Sequence, residues 1–410
     1  MVRISTNQYH QTALNALLDQ QNTLSKVQEQ IASGKRILSP SDDPSGAARV
    51  LELAQSIEST ERYNRNIDAA ESRMGLEEST LNEVSSTLQR VRELAVQAKN
   101  DSNTAEDRKK IAAEVREQWK HLVQLGNTTD GNGEYLFAGA QSGTRPFQTQ
   151  ADDTVQYAGG QTARRLQVGA GRSMETTHTG YETFMDMPAS YEVTATTGST
   201  GTATAAVAVN TSVTQREDVS GYEVRFTETA DGGFDYAVVD DSGNAVTDSD
   251  GNAITGRYEA GRSIQLPEQG VELTLHGQPA DGDALTIQAD SDRSMFDAVE
   301  RFASALENAS DTEQGRSAFQ AAGDRALAEV DAGLENVERI RAEVGGRLNG
   351  LDSERNANEA AALELKSARS TIQDLDYASA ISEFSRRLTG MQAAQQSYSK
   401  IQGMSLFNYL

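Results

Sequence analysis

Residues 67–98 read IDAAESRMGLEESTLNEVSSTLQRVRELAVQA, and their spacing decides the fold. Ile67, Met74, Leu81, Leu88 and Ala95 recur every seven residues, and Val84, Val91 and Ala98 fill the second position of the same heptad. The residues between them are mostly polar, among them Glu77, Glu78, Ser79, Thr80 and Asn82. A helix that is apolar along one stripe needs a second helix to bury it. The far half of the chain supplies one. Val330, Val337, Val344 and Leu351 form one row and Leu327, Leu334 and Leu348 another, with Arg341 in a seat due to an apolar residue and Ile340 beside it. The two halves are therefore expected to pack together as a long antiparallel coiled coil or bundle built from both chain ends. Everything between them is an insertion, which makes the fold class α+β and multidomain.

Outward from this seam toward the start, residues 1–38 read as a sparsely apolar amphipathic helix. Leu17, Leu24 and Ile31 keep the seven-residue spacing, with Val27 between and Gln20 where an apolar residue is due. So little apolar surface does not offset an ordering cost of roughly 1–2 kcal/mol per residue. The segment is expected to order only when neighbours supply a surface. Gly34 is a helix stop. Asp43 is a good N-cap and Pro44 a good first helical residue, so the next helix should begin there and run to about residue 99. Thr104 with Asp107 has the spacing of a capping box. The helix it opens carries Ile111, Val115, Trp119 and Leu122 on one face, which reads as core.

From Gly131 the texture changes to glycine, threonine and aspartate. Residues 222–226, 234–239, 271–275 and 284–287 alternate apolar and polar like half-buried strands, separated by Asp-Gly and Gly-Asn turns. Residues 150–292 are thus expected to form an inserted, β-rich outer domain. Asp248-Ser249-Asp250-Gly251-Asn252 has a calcium-loop flavour but lacks the flanking helices and further ligands of an EF-hand, so it reads as a hairpin turn.

Helix returns near Ser294, with Phe296, Val299, Ala303 and Leu306 on one face, and restarts at Asp311-Thr312. Gly345-Gly346 interrupts that pattern and is a place for a bend. The last segment starts near Asp374. Ile381, Phe384, Leu388, Met391 and Tyr398 carry a helical stripe, followed by an apolar tip that includes Phe407 and Leu410. With Leu17, Leu24 and Ile31, these are the candidate assembly-interface residues. The domain expectation is residues 1–43 plus 376–410 as a terminal assembly domain, 44–149 plus 293–375 as a long-helix bundle, and 150–292 as the outer domain.

Charge supports this layering. The net charge is −24, yet residues 1–45 sum to zero and 361–410 to +1, while 150–292 hold −16. Near-neutral ends can crowd together, and an acidic middle suits a solvated surface. No region carries the basic stripe that nucleic-acid binding needs. No stretch has the apolar length of a membrane span. The start has no apolar signal-peptide core, so any export is expected to proceed without a cleaved leader. The chain has no cysteine, which removes disulfides, thiolate metal sites and cysteine nucleophiles. His10, His121, His178 and His276 are scattered, and no nucleophile–base–acid spacing, metal spacing or phosphate loop stands out. The expectation is a structural protein rather than an enzyme, without cofactor or metal.

Several motifs resemble the bacterial flagellin family. They are Ser33-Gly34-Lys35-Arg36-Ile37 followed by Asp42-Asp43 and Gly46, then Leu88 to Gln97, and Ile372-Gln373-Asp374-Leu375-Asp376-Tyr377-Ala378. The resemblance covers roughly residues 1–145 and 293–410. Gly133-Glu134-Tyr135-Leu136-Phe137-Ala138-Gly139 and the ending Ser405-Leu406-Phe407-Asn408-Tyr409-Leu410 are similar to the branch of the family that joins hook to filament. Pro40 and Pro44 around the acidic pair depart from flagellin proper. The resemblance implies unfolded export by the flagellar type III system, with a cytosolic chaperone on the C-terminal helix. It implies extracellular assembly as a ring of copies between hook-associated protein 1 and flagellin, through the terminal helices. Arg90, Leu94 and Glu114 match positions at which an innate immune receptor recognises flagellins; their bland role is a helix flank with local ion pairing. The rival readings are a filament-forming flagellin and an extracellular coiled-coil adhesin with a β head.

Overall fold

The structure, a computed structural model, describes residues 6–100, 102–187, 191–195, 201–209, 219–248, 251–266, 271–289 and 294–403. The chain divides into two compact units, Met1–Asn66 with Ser353–Leu410, and Ile67–Asp352. Two long helices, α2 (Pro44–Ala98) and α5 (Glu313–Gln373), contribute to both.

The first unit contains α1 (Thr6–Ser33), the start of α2, the end of α5 and α6 (Tyr377–Gly403). Helix α1 packs along α6. Leu53, Ile57 and Ala362 are buried in the α2 and α5 portions, and Lys366 pairs with Glu61 at 3.0 Å. The boundaries follow local chemistry. Gly34 sits at φ +69°, a left-handed conformation that ends α1 at small cost only for glycine. Asp43 caps α2 through Gly46 N–H at 2.9 Å, with Pro44 in the first helical position.

The second unit is built around the heptad seam. Ile67, Met74, Leu81, Leu88, Val330, Val337, Val344 and Leu351 are all buried in one core. Arg92 pairs with Asp331 at 2.7 Å, Arg341 with Glu78 at 2.8 Å, and Lys99 with Asp324. Residue numbers rise along α2 as they fall along α5, so the two helices run antiparallel. Arg341, out of place in the heptad, turns aside to Glu78 while Ile340 takes the buried position. Gly345-Gly346 does not interrupt α5, which stays helical from Glu313 to Gln373. A glycine inside a helix costs only ~1 kcal/mol, which the flanking turns sustain.

Helices α3 (Ala105–Gly126) and α4 (Met295–Glu307) close the same core. Thr104 and Asp107 form the full reciprocal capping box. Trp119 is buried and donates Nε1–H to the Phe296 carbonyl at 3.1 Å.

The insertion holds two cores rather than one. Its first part has two short hairpins, β1 (Phe147–Thr149) with β2 (Val155–Tyr157) and β3 (Arg165–Gln167) with β4 (Ser173–Glu175), followed by a π-helical turn at Tyr181–Met185. Phe147, Val155, Val168, Phe184 and Met187 from this part belong to the helical core. The aromatic rings of Phe137, Phe147, Phe184 and Phe296 meet there at 4.9–5.3 Å. The alternating segments beyond it make a separate core from two antiparallel sheets. One runs β5 (Tyr191–Ala195), β12 (Ala284–Ala289), β7 (Glu223–Glu228), β8 (Phe234–Val239), β9 (Thr255–Arg257). The other runs β10 (Ser263–Leu266), β11 (Val271–His276), β6 (Thr204–Val209). Val224, Phe226, Leu285 and Ile287 of the first sheet and Leu266, Val271, Leu273 and Leu275 of the second fill that core. Between Thr247 and Ala253 the chain makes the expected turn: Asp248 exchanges backbone bonds with Asn252 and Gly251 at 2.8–2.9 Å, while Ser249 and Asp250 lie outside the described residues.

Candidate assembly surface

The first unit carries a surface made by the two ends of the chain. Helix α1 leaves through the segment after Gly34, and α6 enters through Asp374-Leu375-Asp376. These linkers, more than three hundred residues apart in sequence, are stitched together. Lys35 and Asp374 form an isolated antiparallel bridge, Arg36 N–H donates to Gln373 O at 2.7 Å, and Leu375 N–H donates to Gly34 O at 3.0 Å. The Arg36 guanidinium adds two bonds to the Ile372 carbonyl, at 2.8 and 3.2 Å, where the C-terminal end of α5 exposes unpaired carbonyls. It also reaches Asp43 at 3.3 Å.

The acidic pair holds the other side of the junction. Asp42 accepts from Leu38 and Ser39 N–H, both at 3.0 Å, and from Lys26 at 2.5 Å. The Lys26 hydrogen bond, and next the Ser39 N–H, draw the Asp42 carboxyl down to about 2. Asp43 lies below the usual carboxylate range because it accepts Gly46 N–H and then the Ser45 hydroxyl. A Cβ at Gly46 would crowd the capping Asp43 carboxylate and come within 2.8 Å of Ile37 Cδ1, so both side chains would have to shift. Asp376 opens α6 as its N-cap, accepting from Ala378 and Ser379 N–H at 3.0 and 3.3 Å. The sequence motifs at 33–46 and 372–378 are thus two sides of one junction.

On the helices, Leu24 and Val27 are buried, while Leu17, Ile31, Phe384, Leu388, Met391 and Tyr398 are half-buried. Ile381 is exposed. Phe407 and Leu410 lie outside the described residues. Gln20, the odd polar seat of α1, lies against Gly390 of α6, where a Cβ would come within 2.7 Å of Gln20 Nε2. Leu14 and Leu18 remain 46% and 49% exposed, and Tyr377 is also open to solvent. The reading of the sequence missed Leu14 and Leu18; their i,i+4 spacing, off the Leu17–Leu24 stripe, was the available signal. What the arrangement offers chemically is a pair of helices of nearly balanced charge with exposed apolar side chains.

In the second unit, Arg90 donates to Glu114 at 2.8 Å across α2 and α3, and to Glu93 at 2.8 Å. Leu94 is only 1% exposed and belongs to the core, so the surface shown by Arg90 and Glu114 does not include it. His178 is buried between Glu77 and Glu343. The signal for Glu77 was its seat on the Val84–Val91–Ala98 row, where a carboxylate has no apolar reason to be.

The chain belongs to the bacterial flagellin family: residues 4–142 match the bacterial flagellin N-terminal helical region and residues 327–410 the bacterial flagellin C-terminal helical region. It is 26% identical to flagellar hook-associated protein 3 of Escherichia coli (strain K12), over 99% of this chain and 99% of that protein. The crystal structure of flagellar hook-associated protein 3 from Legionella pneumophila superimposes with a TM-score of 0.69 at 27% identity, covering 79% of this chain and 98% of that one. Similarity to flagellin of Salmonella dublin is 33% identity, over 37% of this chain and 29% of the flagellin.

Proposed function

We propose that this chain is a structural component of the bacterial flagellum, the junction protein between hook and filament. The observation that carries the reading is the end-to-end similarity to hook-associated protein 3, set against a similarity to flagellin of Salmonella dublin that covers 37% of the chain. The terminal helix pair supports it, because half-exposed apolar side chains on α1 (Leu14, Leu18) and on α6 (Tyr377, Ile381) gain from burial against further helices. In this reading residues 1–43 and 376–410 join neighbouring copies in a ring. Residues 44–149 and 293–375 form a sleeve of long helices, and 150–292 face solvent. The ring seats on hook-associated protein 1 and receives flagellin, and a cytosolic export chaperone holds the C-terminal helix before secretion.

Deleting the gene from the bacterium that carries it tests the reading. Hooks without filaments, with flagellin released into the medium and filaments restored by the intact gene, are expected. Normal filaments in the deletion strain would overturn it. Long filaments formed by the purified chain alone would favour the flagellin reading instead.

A further inference from the structure

Among the buried ionic groups of the second unit is a histidine set between two carboxylates. His178 lies in the segment between β4 and the π-helical turn, and it is 2% exposed. Its Nδ1 is 2.9 Å from Glu77 Oε1 on α2, and its Nε2 is 3.2 Å from Glu343 Oε2 on α5. The His178 backbone N–H also donates to Glu77 Oε1 at 2.9 Å. Glu77 is fully buried, and among the described residues its Oε2 has no hydrogen-bond partner.

A neutral imidazole has one N–H. With a carboxylate oxygen at each ring nitrogen, a neutral ring would set a lone pair against one of them. One competing assignment puts the proton on Glu343. That carboxyl, however, lies below its usual range: burial raises it, but the His178 hydrogen bond and then the Arg339 charge lower it further. Arg339 pairs with Glu343 at 2.6 Å, and Arg347, one turn along α5, pairs with Glu175 of β4 at 3.2 Å and approaches Glu343 at 3.7 Å. The groups facing the ring are therefore Glu77 from α2, Glu343, Arg339 and Arg347 from α5, and Glu175 from β4 through Arg347.

We propose that His178 is a protonation-dependent clasp, which as an imidazolium ties α2 to α5 through the segment 176–187 and as a neutral ring must give up one of its two carboxylates. The segment has a second anchor, since Asn336 of α5 donates to the carbonyls of Glu182 and Thr183, both at 3.1 Å. Phe184 and Met187 then enter the helical core, and β5 of the outer sheet follows at Tyr191. Losing the charge on His178 takes the imidazolium away from the buried Glu77 carboxylate, which is the costly way to break an ionic contact. Release accordingly loosens the stretch of chain that leads from the helical core into the outer β core.

Burial lowers the His178 pKa, but the hydrogen bond and charge of Glu77, with Glu343, raise it above the ordinary 6.5. The clasp's contribution is fully present below that unfolded-state value. It is lost as pH rises through the higher folded-state value. Each unit of elevation makes folding about tenfold more favourable on the acid side.

The test uses the full chain. Imidazole NMR titration, with the His178 signal assigned by its absence from His178→Gln, reads the ring directly, and thermal unfolding of both proteins is followed from pH 6 to pH 9. His178 titrating above 6.5, with a loss of unfolding temperature at alkaline pH that His178→Gln does not share, is the expected result. Titration at or below 6.5, or the same pH dependence in both proteins, would overturn the clasp. If His178→Gln fails to fold, the wild-type signal is assigned by selective labelling, and its midpoint alone decides.

Discussion

The same methyl group should act with opposite sign at two glycines. At Gly34 the backbone has φ +69°, and a side chain in this left-handed region costs roughly 1–2 kcal/mol. The added Cβ would also lie 2.9 Å from the Tyr377 hydroxyl. Tyr377 is half exposed, so its outer end can swing into solvent, and the backbone term dominates. At Gly75, inside α2, a Cβ would meet no atom within 4 Å, and the change to alanine removes a helix-interior glycine. That substitution should stabilise by about 1 kcal/mol. Gly34→Ala falls in the first unit and Gly75→Ala in the second, so each should move its own unit's unfolding. Chemical denaturation followed by far-ultraviolet circular dichroism and by hydrogen exchange reads both. Gly34→Ala should lower the free energy of opening of the α1–α6 junction by ~1–2 kcal/mol. Gly75→Ala should raise that of the helical core by ~1 kcal/mol. A neutral or stabilising Gly34→Ala would refute the left-handed reading of the junction, and a destabilising Gly75→Ala would refute the open environment assigned to α2.

Leu81→Ala removes a fully buried seam residue and should cost about 2–5 kcal/mol in a denaturation midpoint. Leu18→Ser acts at a half-exposed position and should stay within about 0.5 kcal/mol, yet reduce incorporation into flagella, counted by electron microscopy of complemented cells. Asp42 should titrate near 2 by carboxyl NMR, against an ordinary value of 3.8. Because its folded-state value is depressed, its contribution is present above about 3.8 and is lost as pH falls toward 2. Lys26→Ala should move that midpoint upward, and an unmoved midpoint would discount the Lys26–Asp42 pair.

Much of the architecture was legible because its determinants are local. The seven-residue spacing named the seam, and Gly34, Pro44 and the Thr104–Asp107 box placed helix ends within a residue or two of where they stand. Turn glycines separated the strands of the outer core for the same reason: a left-handed φ is fixed by the residue that adopts it. The candidate site was less legible. Leu24 is covered and Ile381 is not, though both sit on clean helical stripes, because a stripe says that a face wants a partner and not which turn receives one.

The sequence by itself determined the long helices, their punctuation, the segments of β7, β8, β11 and β12, and the family, all of which depend on residues close together in the chain or on recurring motifs. Only the tertiary structure decided what polar groups do. It joined Arg36 to the end of α5, turned Arg341 to Glu78, buried Leu94 within the helical core, and enclosed Glu77 with a histidine from a segment a hundred residues away. A carboxylate or guanidinium is tolerated on either side of a heptad, and its fate rests on whether a distant segment brings the complementary charge. That pairing has no local signature, so it became readable only once the chain was folded.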